Sequence, residues 1–123
     1  MFIIVDNTEN DKILFSFWLN KKLVQRDYVT KNHKNIPVCL EKLLAGLKMT
    51  LSDITCLGVV VGAGKFTATR IATTTANTLA FALKIPVVAL LKNFDEQTAV
   101  NLFKTAKAGQ YVTPVYSGEP RLG

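Results

Sequence analysis

The sequence predicts an α/β fold, with one mixed five-stranded sheet and helices on its faces in the order β-β-β-α-β-α-β-α. Residues 2–6 form a short, almost fully apolar run, as a buried central strand requires. Two loosely alternating runs, 12–19 and 23–29, flank the polar turn at residues 20–22 and indicate a hairpin. From residue 57 onward, short apolar runs alternate with longer stretches of helical composition, which indicates strand and helix in alternation.

The individual elements follow from local signals. The first helix is predicted over 35–47, where Pro37 is tolerated because it falls in the first turn. Strand 57–61 leads through a glycine turn into a helix over 67–83, which Thr67 is expected to cap. Strand 85–91 and a helix over 94–107 follow, and Asn93 with Glu96 is expected to form the capping box of that last helix. Three hairpin strands followed by alternating helix and strand are the order of a ribonuclease-H-like lobe of the actin type.

Composition favours a small, well-packed domain. The chain has 123 residues, of which 49% are hydrophobic and 20% are charged. We expect a cytoplasmic protein without a signal peptide, because the opening apolar run ends at Asp6 and no apolar run approaches the ~20 residues of a membrane span. Cys39 and Cys56 have no CxxC spacing, so they are expected to be reduced, packed thiols.

The net charge of +6 raises the question of nucleic-acid binding. Lysines are spread along the chain, and Lys21-Lys22 is the only adjacent basic pair. No basic and aromatic side chains interleave as they do in RNA-binding modules. The charge therefore favours a solvated surface over a nucleic-acid footprint, and a nucleic-acid-binding module is a less favoured interpretation of the chain.

The glycine turn at residues 62–70 is the most informative motif. It does not match a P-loop, which needs glycine where Val59 stands and Ser or Thr where Phe66 stands. It does not match a dinucleotide fingerprint either, because Thr67 takes the place of the third glycine. On the residues alone, the segment is a strand-to-helix turn that needs small side chains.

The turn resembles the Gly-x-Gly-Ser-Phe-Thr-Gly-x-Arg-Ile segment of the TsaB (YeaZ) family. The residues that match the family motif are Gly62, Gly64, Phe66, Thr67, Arg70 and Ile71. Lys65 departs from Ser and Ala68 departs from Gly. The strand that ends at Asp6 resembles the family's opening strand with its Asp-Thr pair, although Asn7 separates Asp6 from Thr8. The Pro-x-Tyr segment at 114–116 resembles the family's closing segment.

The resemblance implies a fold and a role. Members belong to the glycoprotease-like branch of the actin, heat-shock-chaperone and sugar-kinase (ASKHA) superfamily and normally carry two lobes. We expect one lobe over residues 1–108 and a tail at 109–123, with the second lobe essentially absent. The family is the non-catalytic dimerisation subunit of the bacterial complex that attaches a threonylcarbamoyl group to the tRNA adenosine next to the anticodon. The implied partners are the catalytic transferase TsaD in a heterodimer, the ATPase TsaE, a second copy in the absence of TsaD, and tRNA only through the complex; no cofactor or membrane is implied.

Little catalytic chemistry is available to the chain. His33 is the only histidine, so no His-rich metal site is predicted, and Ser16, Ser52 and Ser117 lack a nucleophile-elbow setting. Asp6 and Thr8 lie where superfamily enzymes hold a metal–nucleotide complex, so they are the candidate remnant of a nucleotide site. The competing readings are an ordinary strand-end acid at Asp6 and a small nucleotide-binding enzyme that uses these residues with the glycine turn.

Both long helices have a second, semi-apolar face. In helix 67–83 the predicted core stripe is Ala68, Ala72, Ala76, Leu79 and Leu83, and in the first helix it is Ile36, Leu40, Leu43 and Leu47. Six threonines between residues 67 and 78 cost roughly 3–4 kcal/mol of helix propensity, at up to ~0.7 kcal/mol each, which favours close packing against another helix. In TsaB-like proteins these helices pair with the partner subunit. The predicted partner surface is Val38, Lys42, Ala45, Met49, Arg70, Thr73, Thr74, Asn77 and Phe81.

Overall fold

A computed structural model of the chain describes residues 1–9, 11–29, 36–62 and 66–113. Its elements are β1 (Phe2–Asp6), β2 (Lys12–Leu19), β3 (Lys22–Val29), α1 (Ile36–Gly46), a 3₁₀ turn (Leu51–Asp53), β4 (Cys56–Val61), α2 (Phe66–Leu83), β5 (Val87–Leu91) and α3 (Glu96–Thr105). The five strands form one sheet in the order β3-β2-β1-β4-β5. β1, β2 and β3 pair antiparallel, whereas β4 runs parallel to both β1 and β5. The predicted fold class and element order are confirmed.

The hairpin between β2 and β3 closes through a two-residue turn. Leu19 pairs with Lys22, so Asn20 and Lys21 alone form the loop, one residue shorter than predicted. Both turn residues have positive φ, 52° and 66°, as a type I′ turn requires. This turn matches the natural twist of the strands and fixes the register of the hairpin.

The sheet separates two hydrophobic cores. The larger core lies under α1 and α2 and includes Val5, Phe15 and Val59, whose side chains point to one face of the sheet. The smaller core lies under α3 on the other face, where Ile4, Val60, Leu90 and Phe103 are buried. Successive residues of β1 and β4 alternate between the two cores, which is why both strands are almost entirely apolar.

Gly58 and Trp18 shape the smaller core. A Cβ on Gly58 would lie 3.0 Å from Leu90 Cδ1 and 3.3 Å from Phe103 Cζ, so glycine allows α3 to approach the sheet closely. The Trp18 ring packs edge-on against Phe103 with centroids 5.8 Å apart, and its Nε1 donates to a Glu96 carboxylate oxygen at 2.9 Å. The ring contact with Phe103 and the hydrogen bond to Glu96 therefore hold α3 against β2.

The buried face of α2 is wider than predicted. Ala68, Ala72 and Ala76 are buried as expected, but Leu79 and Leu83 are only half-buried, and Ala80 is buried instead. Thr73, which was placed on the outer face, is 1% exposed. Burial is tolerated because the Thr73 hydroxyl donates to the Thr69 carbonyl oxygen at 2.8 Å. The assignment of Thr73 to the outer surface is therefore wrong.

A lysine in the left-handed region follows each of the helices α1 and α2. Lys48 and Lys84 each have φ of 58°. After α1, the Met49 N–H donates to the Leu44 carbonyl at 2.8 Å, and after α2 the Ile85 N–H donates to the Ala80 carbonyl at 3.0 Å. These are the bonds of a Schellman motif, which turns the chain back toward the core. Met49 is consequently half-buried against the larger core, and its predicted place on an outer helical stripe is wrong.

Helix α3 begins two residues later than predicted. Its N-cap is Asp95, whose carboxylate accepts from the Thr98 N–H at 2.7 Å. The Phe94 N–H donates to the Leu91 carbonyl, so Asn93 lies in the turn that precedes the helix. The predicted Asn93–Glu96 capping box is therefore wrong, since Asp95 is the better placed acceptor. No helix in the described part of the chain is long and apolar enough to cross a membrane.

Candidate functional site

The outer face of α2 exposes a stripe of predicted contact residues. Arg70 and Thr74 are exposed, and the Phe81 side chain is 71% exposed. A groove of about 340 Å³ lies along the first half of the stripe, lined by Thr67, Arg70, Ile71, Thr74 and Thr75. α2 therefore presents threonines and one arginine to solvent along its first half and an aromatic ring near its end.

Helix α1 lies beside α2 on the same face of the sheet, and it also exposes residues of the predicted partner surface. Val38 is 48% exposed, and Lys42 and Ala45 are also exposed, as predicted. Their spacing over one and two helical turns places them on one face. With Met49, Thr73 and Asn77 removed, the last because its side-chain amide is bonded within the chain, we define the outer helical face by the residues Val38, Lys42, Ala45, Arg70, Thr74 and Phe81.

Asn77 is predicted to contact a partner, but its side chain forms hydrogen bonds within the chain instead. Its side-chain Nδ2 donates to the Val112 carbonyl at 2.9 Å, and its Oδ1 accepts from the Val112 N–H at 3.0 Å. The amide is therefore used within the chain, to hold the segment that follows α3 against α2. Tyr111, which sequence reasoning missed, lies next to Phe81 with ring centroids 6.5 Å apart.

A lysine side chain forms ion pairs with two acidic residues at the end of β1. The Lys92 Nζ lies 2.7 Å from Asp6 Oδ2 and 3.3 Å from Glu9 Oε2. The other Asp6 oxygen, Oδ1, accepts from the backbone N–H and the hydroxyl of Thr8. Burial lowers the pKa of Lys92, but hydrogen bonds and charges of Asp6 and Glu9 outweigh burial and raise it. Lys92 therefore stays protonated and pairs with both carboxylates, a contact that sequence reasoning missed.

Lys92 reaches Asp6 across the carboxyl end of β4, which lies between β1 and β5. A cleft of about 570 Å³ opens at this edge, lined by Gly62, Leu91, Lys92, Phe94 and Asp95 among others. In parallel α/β sheets, ligands bind in the crevice at the carboxyl ends of the strands. Here Lys92 lines the crevice, and its ammonium group binds Asp6.

The glycine turn is described only at its ends. Gly62 has φ of +82°, and its Cβ position would lie 3.3 Å from Leu91 Cδ2, so glycine is required there. Gly64 lies outside the described residues. α2 starts at Phe66, so Thr67 lies within the first turn and is not the residue that precedes the helix. The Asn7 amide, also missed from sequence, donates to the Ala68 carbonyl at 2.9 Å and ties the end of β1 to the start of α2.

The two cysteines are buried and unpaired with each other. Burial raises the pKa of Cys39, and it raises the pKa of Cys56 to about 11. The thiols therefore behave as packed apolar groups, as predicted. Within the described ranges, no group of three His, Cys, Asp or Glu side chains could hold a metal ion.

Solved structures share this fold. YeaZ from Pseudomonas aeruginosa superposes with a TM-score of 0.64 and 24% identity over 73% of this chain and 44% of its own. A second structure, an uncharacterized protein with similarity to peptidase YeaZ from Pseudomonas aeruginosa, gives a TM-score of 0.64 and 23% identity over 73% of this chain and 42% of its own. The chain thus spans less than half the length of either structure.

The sequence comparisons identify the family. No curated protein sequence matches the chain significantly. The family model described as TsaD, tRNA N6-adenosine threonylcarbamoyltransferase, matches residues 24–103, which is more than half of the chain. Together with the shared fold, this match identifies the chain as a member of the TsaD family, with a fold similar to that of YeaZ.

Proposed function

We propose that the chain is a non-catalytic, cytoplasmic subunit of the tRNA threonylcarbamoyladenosine modification complex, and that it binds the catalytic transferase TsaD through the outer helical face. The proposal rests above all on Phe81. The Phe81 side chain is 71% exposed on a helix of mostly small residues, so a partner could remove most of its apolar surface from water. Covering one such side chain contributes roughly 1.5–3 kcal/mol.

Other exposed residues of α1 and α2 support an interface of helices. Ala45, Thr74 and Ala82 are small and exposed, so a partner helix can approach closely. Val38 on α1 adds a second exposed apolar side chain to the same side of the molecule. Two of the six residues that define the face, Lys42 and Arg70, are charged, and the other four are apolar or small. We propose that a second copy covers this face when TsaD is missing, that TsaE contacts the complex, and that tRNA is reached only through TsaD.

The alternative, a nucleotide-binding enzyme, depends on Asp6 and Thr8. Both oxygens of the Asp6 carboxylate are engaged inside the chain, Oδ1 by Thr8 and Oδ2 by Lys92 at 2.7 Å. Binding a metal–nucleotide complex would require displacing the lysine, which favours the scaffold. Titration of the chain with ATP and magnesium checks this: the scaffold predicts no heat of binding, and stoichiometric binding would favour the enzyme.

The interface is tested by Phe81→Asp, measured as affinity for TsaD by isothermal titration calorimetry. An unpaired charge buried in a helical interface costs several kcal/mol, so binding should weaken at least about a hundredfold. Leu91→Asp is the matched control, since Leu91 is 68% exposed but lies at the end of β5. Equal loss in both variants, or unchanged affinity of Phe81→Asp, would contradict the assignment.

A further inference from the structure

The segment that follows α3 forms part of the docking surface. We infer that Tyr111 joins Phe81 at one end of the outer helical face, and that this face takes an apolar helical surface flanked by acidic side chains. The inference rests on the proposed function, because it names the chemistry of the partner at the same face.

The position of Tyr111 is fixed on both sides. Gly109, with φ of +94°, turns the chain after α3. Val112 is 9% exposed and packs in the larger core. The Asn77 side-chain amide accepts a hydrogen bond from the Val112 N–H and donates one to the Val112 carbonyl. Such a two-bond contact reproduces the pairing of neighbouring strands. Tyr111 is therefore held beside α2 by its neighbours, without having to be buried itself.

The two rings form an open aromatic pair. Tyr111 is 47% exposed and Phe81 is 71% exposed, and their rings are tilted by 50°. Shallow cavities of about 280 Å³ and 480 Å³ lie on either side of the pair, the first beside Asn77 and the second beside Lys84. Aromatic side chains next to pockets are the usual anchors of protein interfaces. An apolar partner side chain in either cavity would cover both rings.

The charges around this face indicate the kind of partner. Arg70 is the only charged residue in α2, Lys84 follows the helix, and α1 contributes Glu41 and Lys42. The face is therefore net positive, on a chain of net charge +6. A second copy would bring positive side chains toward one another, whereas acidic side chains beside an apolar helix would be attracted. The face is thus better suited to an acidic partner than to a second copy.

Calorimetric titration of the full chain into TsaD tests the contribution of Tyr111. Tyr111→Ala should weaken binding at least fivefold, and Asn77→Ala should weaken it similarly because it releases the segment. Leu91→Ala is the control and should bind as the unmodified chain does. Circular dichroism and thermal melts confirm that the variants are folded.

The outcomes separate the inference from the proposed function. If Phe81→Asp abolishes binding while folded Tyr111→Ala binds normally, the proposed function stands and the inference about Tyr111 is wrong. If Phe81→Asp binds normally, the proposed function itself fails. Raising NaCl from about 50 to 300 mM should weaken binding to TsaD and strengthen self-association, because salt screens attraction in the first case and repulsion in the second. If the affinity for TsaD did not depend on the salt concentration, the inference that the partner surface is acidic would be wrong.

Discussion

Replacing Lys92 by Met tests the ion pair that closes the end of β1. The substitution removes the charge and keeps most of the apolar stem. It leaves the Asp6 side chain, 11% exposed, without the ammonium that lies 2.7 Å from Oδ2. A hydrogen bond to a charged group contributes about 1.5–3 kcal/mol, and the 32% exposure of the Lys92 side chain places this pair near the lower value. We expect a loss of about 1.5–2 kcal/mol in the free energy of unfolding.

A double-mutant cycle isolates the pair from other effects of the substitution. Urea unfolding followed by circular dichroism is measured for Asp6→Asn, Lys92→Met and the double variant. The double variant should be more stable than the sum of the single losses predicts, by at least about 1 kcal/mol. Glu9→Gln is the control, because that contact is longer, at 3.3 Å, and the Glu9 side chain is 48% exposed, so it should cost under about 1 kcal/mol. Additive losses for Asp6 and Lys92 would refute the reasoning.

The same pair predicts a dependence on pH. The folded state raises the pKa of Lys92 above its unfolded value, which is about 10.4 for lysine. The stabilisation that the Lys92 ion pair gives the folded state is therefore fully present below the unfolded pKa of lysine. This stabilisation is lost as pH rises through the higher pKa that Lys92 has in the folded state. The stability of the unmodified chain should fall above about pH 10.4, and this part of the fall should be absent from Lys92→Met.

Three further predictions concern the cores and the helix ends. Gly58→Ala should cost about 1–3 kcal/mol by overpacking against Leu90, whereas Gly46→Ala, with no neighbouring atom within 4 Å, should be neutral or stabilising; chemical denaturation compares the two. Lys48→Gly should raise stability by up to about 1 kcal/mol, measured in the same way, because glycine adopts a φ of 58° without strain. Ellman's reagent at pH 8 should label neither cysteine until urea exposes them, since both are buried and the pKa of Cys56 is about 11; labelling of the folded chain would contradict this.

Much of the fold could be predicted because its signals are local. The apolar run of β1 and the alternation of β2 depend only on neighbouring residues, and the strand bounds were correct to within two residues. The helix ends were less predictable, because several residues compete for each end. Asn93 and Asp95 are both good N-caps, and only the bond from Thr98 decides between them.

The candidate site was harder to predict for two reasons. A helical projection treats threonine as polar, but the Thr73 hydroxyl is satisfied by its own helix and can be buried. The other contacts join residues far apart in the chain: 86 positions separate Asp6 from Lys92, and 35 separate Asn77 from Val112. The only sequence signal for the Asp6–Lys92 contact was topological, since both residues lie at the carboxyl ends of strands that run parallel to β4.

Trp18 provides an intrinsic optical probe of one side of the molecule. It is the only tryptophan, and its indole lies under α3, on the opposite side of the sheet from α1 and α2. Its emission should change when the sheet and α3 separate, and stay nearly constant when a protein docks on the other side. A single spectrum can thus distinguish a variant that has lost its partner from one that has lost its native structure.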